Sequence, residues 1–218
     1  MKRNVFAPGC ALMLYKPELA KKIYDFLIEQ YGEMNRLDTC CKHVPEFSTS
    51  TEIINVCPGC DKRFGSMYSI TSTISVWELL AKSDTFLFPD YKGQSMTIMD
   101  ACPVREKPVI HEAIRTLLQK MNIRIVEPLS TRTKSTCCGN SFYPMLPAVK
   151  VNELMKKRAD EMPLEHVVVY CVSCIQSVAI GGKQPRYLPY LLFGLETTPM
   201  KAGTEAWHLE MESYIEKH

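Results

Sequence analysis

Three features of the 218-residue sequence predict an α/β fold made of two pseudo-repeated halves. Short runs rich in β-branched residues alternate with stretches whose apolar residues recur every three or four positions. Ten cysteines fall into one order written twice: Cys10 alone, Cys40-Cys41 adjacent, and Cys57-x-x-Cys60, then Cys102 alone, Cys137-Cys138 adjacent, and Cys171-x-x-Cys174. The cysteine-bearing turns follow the short runs. Each half should therefore carry a short, mostly parallel sheet flanked by helices, with its cysteine loops gathered at strand ends.

In the first half, Asn4-Val5-Phe6 reads as a strand that runs into the tight turn Ala7-Pro8-Gly9-Cys10. A helix follows, with Pro17 in its first turn, where a missing N–H does no harm. Leu19, Ile23, Phe26, Leu27 and Tyr31 recur at helical spacing, and Gly32 is placed to stop it. Residues 42–51 are polar and irregular and read as a loop. Ile53 to Val56 is a second strand, delivering Cys57-Pro58-Gly59-Cys60. One further helix is expected to carry Phe64, Met67, Ile70, Ile74, Trp77 and Leu80.

The turn-rich stretch Pro89 to Gln94 separates the halves, giving segments 1–93, 94–182 and 183–218, the last an apolar stretch with a short helix. In the second half, Met96 to Met99 is a strand leading to Asp100-Ala101-Cys102-Pro103. Pro108 opens a helix with a broad apolar face, and Ile123 to Val126 is a strand. Cys137-Cys138-Gly139-Asn140 ends the next loop, and Val149 to Met162 reads as a helix. Val167 to Tyr170 then delivers Cys171-Val172-Ser173-Cys174. Between adjacent pair and C-x-x-C lie 15 residues in the first half and 32 in the second, and the surplus coincides with the helix near 151–161. The first half should therefore lack that helix. The apolar stretch from Tyr187 to Gly194 would cover the sheet or dock a partner, and Trp207 to Tyr214 reads as a short terminal helix.

Composition excludes several classes. Charged residues make up 23% and leave a formal net charge of +2, which is no basis for nucleic-acid binding or a disordered tail. No apolar run reaches the roughly 18 residues that a spanning helix needs. The run after Met1-Lys2-Arg3 breaks at Pro8-Gly9, too early for a signal segment. The expected location is the cytoplasm, where lasting disulfides are rare and clustered cysteines point to metal, cluster or redox chemistry.

Cysteines at the carboxyl ends of parallel strands are collected on one edge, and those next to helix N-termini are favoured as thiolate, the form that ligates metal. A structural zinc ion closes its shell with four ligands, so five thiols exceed it. Iron–sulfur clusters are the natural match for a cysteine-only set, although an ordinary four-iron cube also needs only four. Cys57-Pro58-Gly59-Cys60 after a strand could equally be a thioredoxin-like dithiol.

The order of a lone Cys, then Cys-Cys-Gly, then C-x-x-C resembles the cysteine-rich CCG domain. That domain occurs twice in the B-type polypeptide of heterodisulfide reductase and in related iron–sulfur components of glycolate and lactate oxidation. The resemblance covers about residues 1–180 and is strongest at Cys102, Cys137-Cys138-Gly139 and Cys171-x-x-Cys174. It implies two [4Fe-4S] clusters of the noncubane type, each on five cysteines: Cys10, Cys40, Cys41, Cys57 and Cys60, and Cys102, Cys137, Cys138, Cys171 and Cys174. It further implies an iron–sulfur oxidoreductase that reduces a disulfide or similar thiol substrate at the second cluster, or else a non-catalytic electron-transfer component of a larger complex. Zinc or a plain dithiol is the remaining alternative.

Departures from the pattern fall in the first set, where Lys42 replaces the usual Gly and the second interval is short. With no C-x-x-C-x-x-C run, the electrons would come from a ferredoxin-like or flavin-containing partner. Arg105 is the candidate for an anionic substrate, with Lys42, His43, Arg63 and Lys107 as weaker ones. Gly139 should serve the backbone of a turn packed against a cluster.

Overall fold

The computed structural model describes residues 3–41, 43, 46–47, 49–67, 71–200 and 202–218. Lys42, Ile70 and the side chain of Met67 lie outside the described residues. The chain is α/β, with two four-stranded sheets in which every pairing is parallel.

The first sheet holds β1 (Arg3–Ala7), β2 (Asn35–Arg36), β3 (Thr51–Asn55) and β4 (Thr71–Ser75) in the order β2-β1-β3-β4. The second holds β5 (Ser95–Ile98), β6 (Arg124–Val126), β7 (His166–Val169) and β8 (Gln184–Tyr187) in the order β6-β5-β7-β8. The two orders are the same once the second set of strands is matched to the first, so the repeat in the cysteines is a repeat in topology. Registers such as Val5 beside Ile53 and Ile98 beside Val168 place apolar pairs at the sheet centres. Helices must cover both faces of such sheets, which is why their central strands are largely apolar.

The helices are α1 (Cys10–Tyr15), α2 (Pro17–Tyr31), α3 (Pro58–Met67), α4 (Val76–Lys82), α5 (Pro108–Lys120), α6 (Ala148–Asp160), α7 (Val172–Ile180), α8 (Leu188–Leu192) and α9 (Thr204–Lys217). Pro17 opens α2 as expected, and the short helix α1 precedes it from Cys10. Lys16, the residue before it, is extended at φ −160°, outside the helical region that the proline ring disfavours for its predecessor. Gly32 ends α2 at φ 79°, its N–H bonded to the Ile28 carbonyl. No helix among the described residues lies between β2 and β3, whereas α6 lies between β6 and β7.

One expectation is corrected. The helix drawn through Phe64, Ile74, Trp77 and Leu80 is interrupted by strand β4. Thr71-Ser72-Thr73-Ile74-Ser75 is β-branched and hydroxylated, a poor helix and a good edge strand. Ser75 then starts α4 with a capping box, its N–H bonded to Glu78 Oε1 at 3.0 Å. Strand β8 is a further element that the sequence pattern does not predict. The apolar stretch after it covers the sheet: Tyr187, Leu188, Tyr190, Leu191 and Leu192 are all buried.

A continuous core runs through both halves, including Phe6, Leu12 and Trp77 from the first and Ile98, Ile114 and Leu117 from the second. Helix α4 packs on α5 across the seam, and α1 packs on α7. No helix among the described residues is long and apolar enough to cross a membrane.

Candidate functional site

Parallel strands put all their carboxyl ends at one edge of each sheet, and every cysteine follows one of those ends. Cys10 follows β1, Cys40 and Cys41 follow β2, and Cys57 and Cys60 follow β3. Cys102 follows β5, Cys137 and Cys138 follow β6, and Cys171 and Cys174 follow β7. All ten are free thiols.

In the first set, Cys40 Sγ lies 3.1 Å from Cys60 Sγ, and Cys10 Sγ donates to Cys41 Sγ at 3.9 Å. The Cys10 thiol is pushed up by its bond to Cys41 and by burial. Cys41 is correspondingly brought down to about 3 by the thiols of Cys10 and Cys40, against burial and with help from the charges of Arg63 and His43. Cys57 falls to about 7, because the Cys60 thiol and the N–H groups of Cys60 and Gly59 point at it. Cys40 rises to about 12, chiefly through its bond to Cys41.

The second set repeats this pairing with the adjacent cysteines exchanged. Cys102 pairs with Cys137, whose thiol is driven far down by Cys102 and Cys138 and further held by Ser141 Oγ at 2.9 Å and the Gly139 N–H at 3.3 Å. Cys138 rises to about 12, its thiol bonded to Cys137 and Cys174. So in each half the lone cysteine meets one member of the adjacent pair, and the second cysteine of the C-x-x-C meets the other. Each set has at least one sulfur poised as thiolate.

Backbone positions explain why the sets close up. Gly9 sits at φ 88°, and a β-carbon there would lie 2.9 Å from Cys57 Cβ and 3.0 Å from Cys60 Sγ. Gly9→Ala should add about 1–2 kcal/mol of left-handed backbone cost and push Cys57 and Cys60 away from the Cys10 turn. Faster maleimide labelling of Cys60 in the variant would register this, and an unchanged rate would refute it. Gly139, at φ 103°, serves the backbone as expected: a β-carbon there would lie 2.8 Å from the Met155 nitrogen on α6.

A buried polar network that the sequence did not announce underlies the second set. Asp100, two residues before Cys102, accepts from Arg115 Nη1 and Nη2 at 2.8 Å each. It also accepts from the Arg132 N–H at 2.7 Å, Thr131 Oγ1 at 3.0 Å and the Tyr170 hydroxyl at 3.2 Å. Ser135 Oγ donates to the Asp100 carbonyl at 2.6 Å, and Arg105 Nε donates to the Ser135 carbonyl at 2.6 Å. The loop that carries Cys137 is thus sewn to the strand that carries Cys102. Ser177 Oγ donates to the Cys138 carbonyl, and Asn140 Nδ2 to Gln176 Oε1 at 3.2 Å.

The remaining basic candidates have structural partners. Arg63 Nε donates to the Cys40 carbonyl at 2.9 Å, and His43 Nε2 to the Ile215 carbonyl at 3.0 Å. Lys107 reaches across the seam to pair with Asp61, which follows Cys60 and also accepts from Asn55 Nδ2. Arg105, Lys107, Lys62, Ser66, Asp61 and Cys102 line a cavity of about 470 Å³ between the halves. Tyr187 is buried near both sets: burial first, then the charges of Cys57 and Cys171, push its hydroxyl well above its usual range.

Among the described residues, no group of three or more His, Cys, Asp or Glu side chains is arranged to hold a metal ion. No family model matches the sequence, and no curated protein is found similar to it. The structure is similar to the crystal structure of glutamate racemase from Francisella tularensis subsp. tularensis SCHU S4 in complex with D-glutamate. That likeness has a TM-score of 0.40 and 10% identity, over 99% of this chain and 94% of that one. The expectation of an iron–sulfur oxidoreductase of the heterodisulfide-reductase type is corrected on the site itself: among the described residues the sulfurs meet one another in pairs, and no group is arranged as a metal site. Disulfide reduction is therefore not assigned to this chain. Nor does a superposition of that size lend the racemase's reaction to it.

Proposed function

We propose that this chain is a cysteine-rich protein of the CCG type whose two five-thiol sets each hold an iron–sulfur cluster. The observation that supports this reading is the doubled set of free thiols. Each half brings five cysteines to the carboxyl edge of its own parallel sheet, with the lone cysteine and the second cysteine of the C-x-x-C each meeting one member of the adjacent pair. Five thiols are more than a structural zinc ion can use. A cysteine-only donor set suits iron–sulfur cofactors, which when bound supply one-electron chemistry.

The chain's own part is to place and ionise the sulfurs. Cys41 and Cys137 are the sulfurs drawn toward thiolate, by the thiols of Cys10 and Cys40 and of Cys102 and Cys138. The pushed-up thiols of Cys10, Cys40, Cys60, Cys102, Cys138 and Cys174 keep their protons until something competes for the sulfur. Metal loading therefore releases protons. Gly9 leaves the room that Cys57 and Cys60 occupy beside Cys10, and the Asp100 network keeps Cys102 beside Cys137. A partner protein that delivers electrons, ferredoxin-like or flavin-containing, belongs with this reading, as does a reducing cytoplasm that leaves ten thiols unpaired.

Anaerobic reconstitution with iron and sulfide tests it. Two four-iron clusters would give about eight iron and eight sulfide per chain. Protein that stays colourless and takes up zinc instead overturns the reading.

A further inference from the structure

Helix α9 touches both halves, and its two ends are held in different ways. At its start, Gln176 Nε2 donates to the Ala202 carbonyl at 2.9 Å and Thr204 Oγ1 to Asn152 Oδ1 at 2.5 Å. Trp207 is buried in the main core, and the His208 ring stacks on Tyr143 with centroids 4.4 Å apart. All of these polar and ring partners belong to the second half, and Gln176 stands two residues after Cys174. The last turn lies on the first half. There Thr39 Oγ1 donates to the His218 main-chain oxygen at 3.1 Å, and His43 Nε2 donates to the Ile215 carbonyl at 3.0 Å. Thr39 adjoins Cys40, and His43 is two residues past Cys41.

Between these ends α9 packs against α1, whose first residue is Cys10. The Tyr214 hydroxyl sits in the field of Asp38 and Cys10, which together with burial raise it. Cys10, Cys40 and Cys60 are only 6%, 2% and 3% exposed, although they lie on a sheet edge that no strand closes.

We propose that α9 is a hinged cover over the first cysteine set, anchored on the second half and latched to the first by Thr39 and His43. A buried tryptophan with a ring stack and two side-chain bonds fixes the start. The end is fixed by two hydrogen bonds to main-chain oxygens and by Ile215. Local opening is graded by such differences, so the weaker end frays first. Opening that end uncovers Cys10 and Cys40, the buried thiols beside the latch, and leaves the second set unchanged. The cover is a property of the chain without any cofactor, so it stands or falls apart from the cluster reading.

The test uses the reduced, metal-free, full-length chain, with maleimide labelling followed cysteine by cysteine by peptide mass spectrometry. In Thr39→Val/His43→Ala, the buried Cys10 and Cys40 should label about tenfold faster, the shift expected when two side-chain hydrogen bonds are removed from a local opening. Cys102, Cys137 and Cys171 should label at the wild-type rate. Unchanged rates at Cys10 and Cys40, or an equal rise in both sets, overturn the latch. Hydrogen exchange on the wild-type chain decides the matter even if the variant does not fold. Amides of residues 212–217 should exchange faster than those of 207–210, and uniform protection along α9 overturns the proposal.

Discussion

Asp100→Asn should cost the fold about 3 kcal/mol, the lower part of the range for breaking a buried ion pair. Asp100 is 1% exposed and Arg115 4%, and the two meet through a bidentate pair with both bonds at 2.8 Å. Asparagine keeps the shape but removes the charge and turns one acceptor into a donor, which then faces Arg115, Arg132 or Tyr170. Glu127 still holds Arg115 through Nε at 2.9 Å and Nη2 at 2.8 Å, which keeps the loss from the top of the range. Urea unfolding measures it, and a loss below about 1 kcal/mol, the size of an ordinary surface pair, would strip the network of its structural role.

The pH dependence has a definite sign. Burial would raise the Asp100 carboxyl, but the Arg115 bonds and charge outweigh it, and the group lies below its ordinary value. A depressed carboxyl contributes stability that is fully present above the unfolded value near ~3.9 and is lost as the pH falls through the folded value. The gap between wild type and variant should thus be constant at neutral pH and close below about pH 4. A gap that persists unchanged in acid would mean that the cost is steric. The same variant loosens the loop that carries Cys137, so labelling of that thiol should speed up together with the loss of stability.

That network also marks where sequence reading ended. Asp100, Arg115, Glu127 and Thr131 are spread along the chain with no shared periodicity, and charged residues of that kind read as surface. Only the fold turns them inward together. The cysteines were legible because their chemistry resides in residue type and spacing, which survive in a one-dimensional string. Their pairing was not: which member of Cys40-Cys41 faces Cys10 depends on the path of a loop.

The strands divide on similar lines. Central strands β1, β3, β5 and β7 announce themselves as apolar runs, since both faces are covered. The strands that escaped notice, β2, β4 and β8, are all at sheet edges. β2 is two residues long, β4 is hydroxyl-rich, and β8 contains Pro185, which an edge tolerates because one side has no ladder to donate to. Subtraction of the cysteine intervals located α6 without any helical periodicity in the first half to compare it with.

If each set holds a four-iron cluster as proposed, Cys171→Ser should halve the reconstituted iron, from about eight atoms per chain to about four. Cys171 is the N-cap residue of α7 in the second half, half-buried and outside the tightest packing, so serine fits there and removes one thiolate donor with little else. Unfolding of the metal-free variant should stay within about 0.5 kcal/mol of wild type, which separates a lost ligand from a lost fold. The first set draws its five sulfurs from strand ends of a different sheet, and its sulfur pairs join Cys10 to Cys41 and Cys40 to Cys60 without passing through Cys171. Its loading should be untouched, and Cys57→Ser should give the mirror result. Tyr187 makes the experiment a sharp one, since it lies close enough to feel Cys57 and Cys171 together. If the two sets shared a single cofactor across that tyrosine, either substitution alone would abolish loading completely. Iron and sulfide counts on the two single variants and the double therefore distinguish two sites from one.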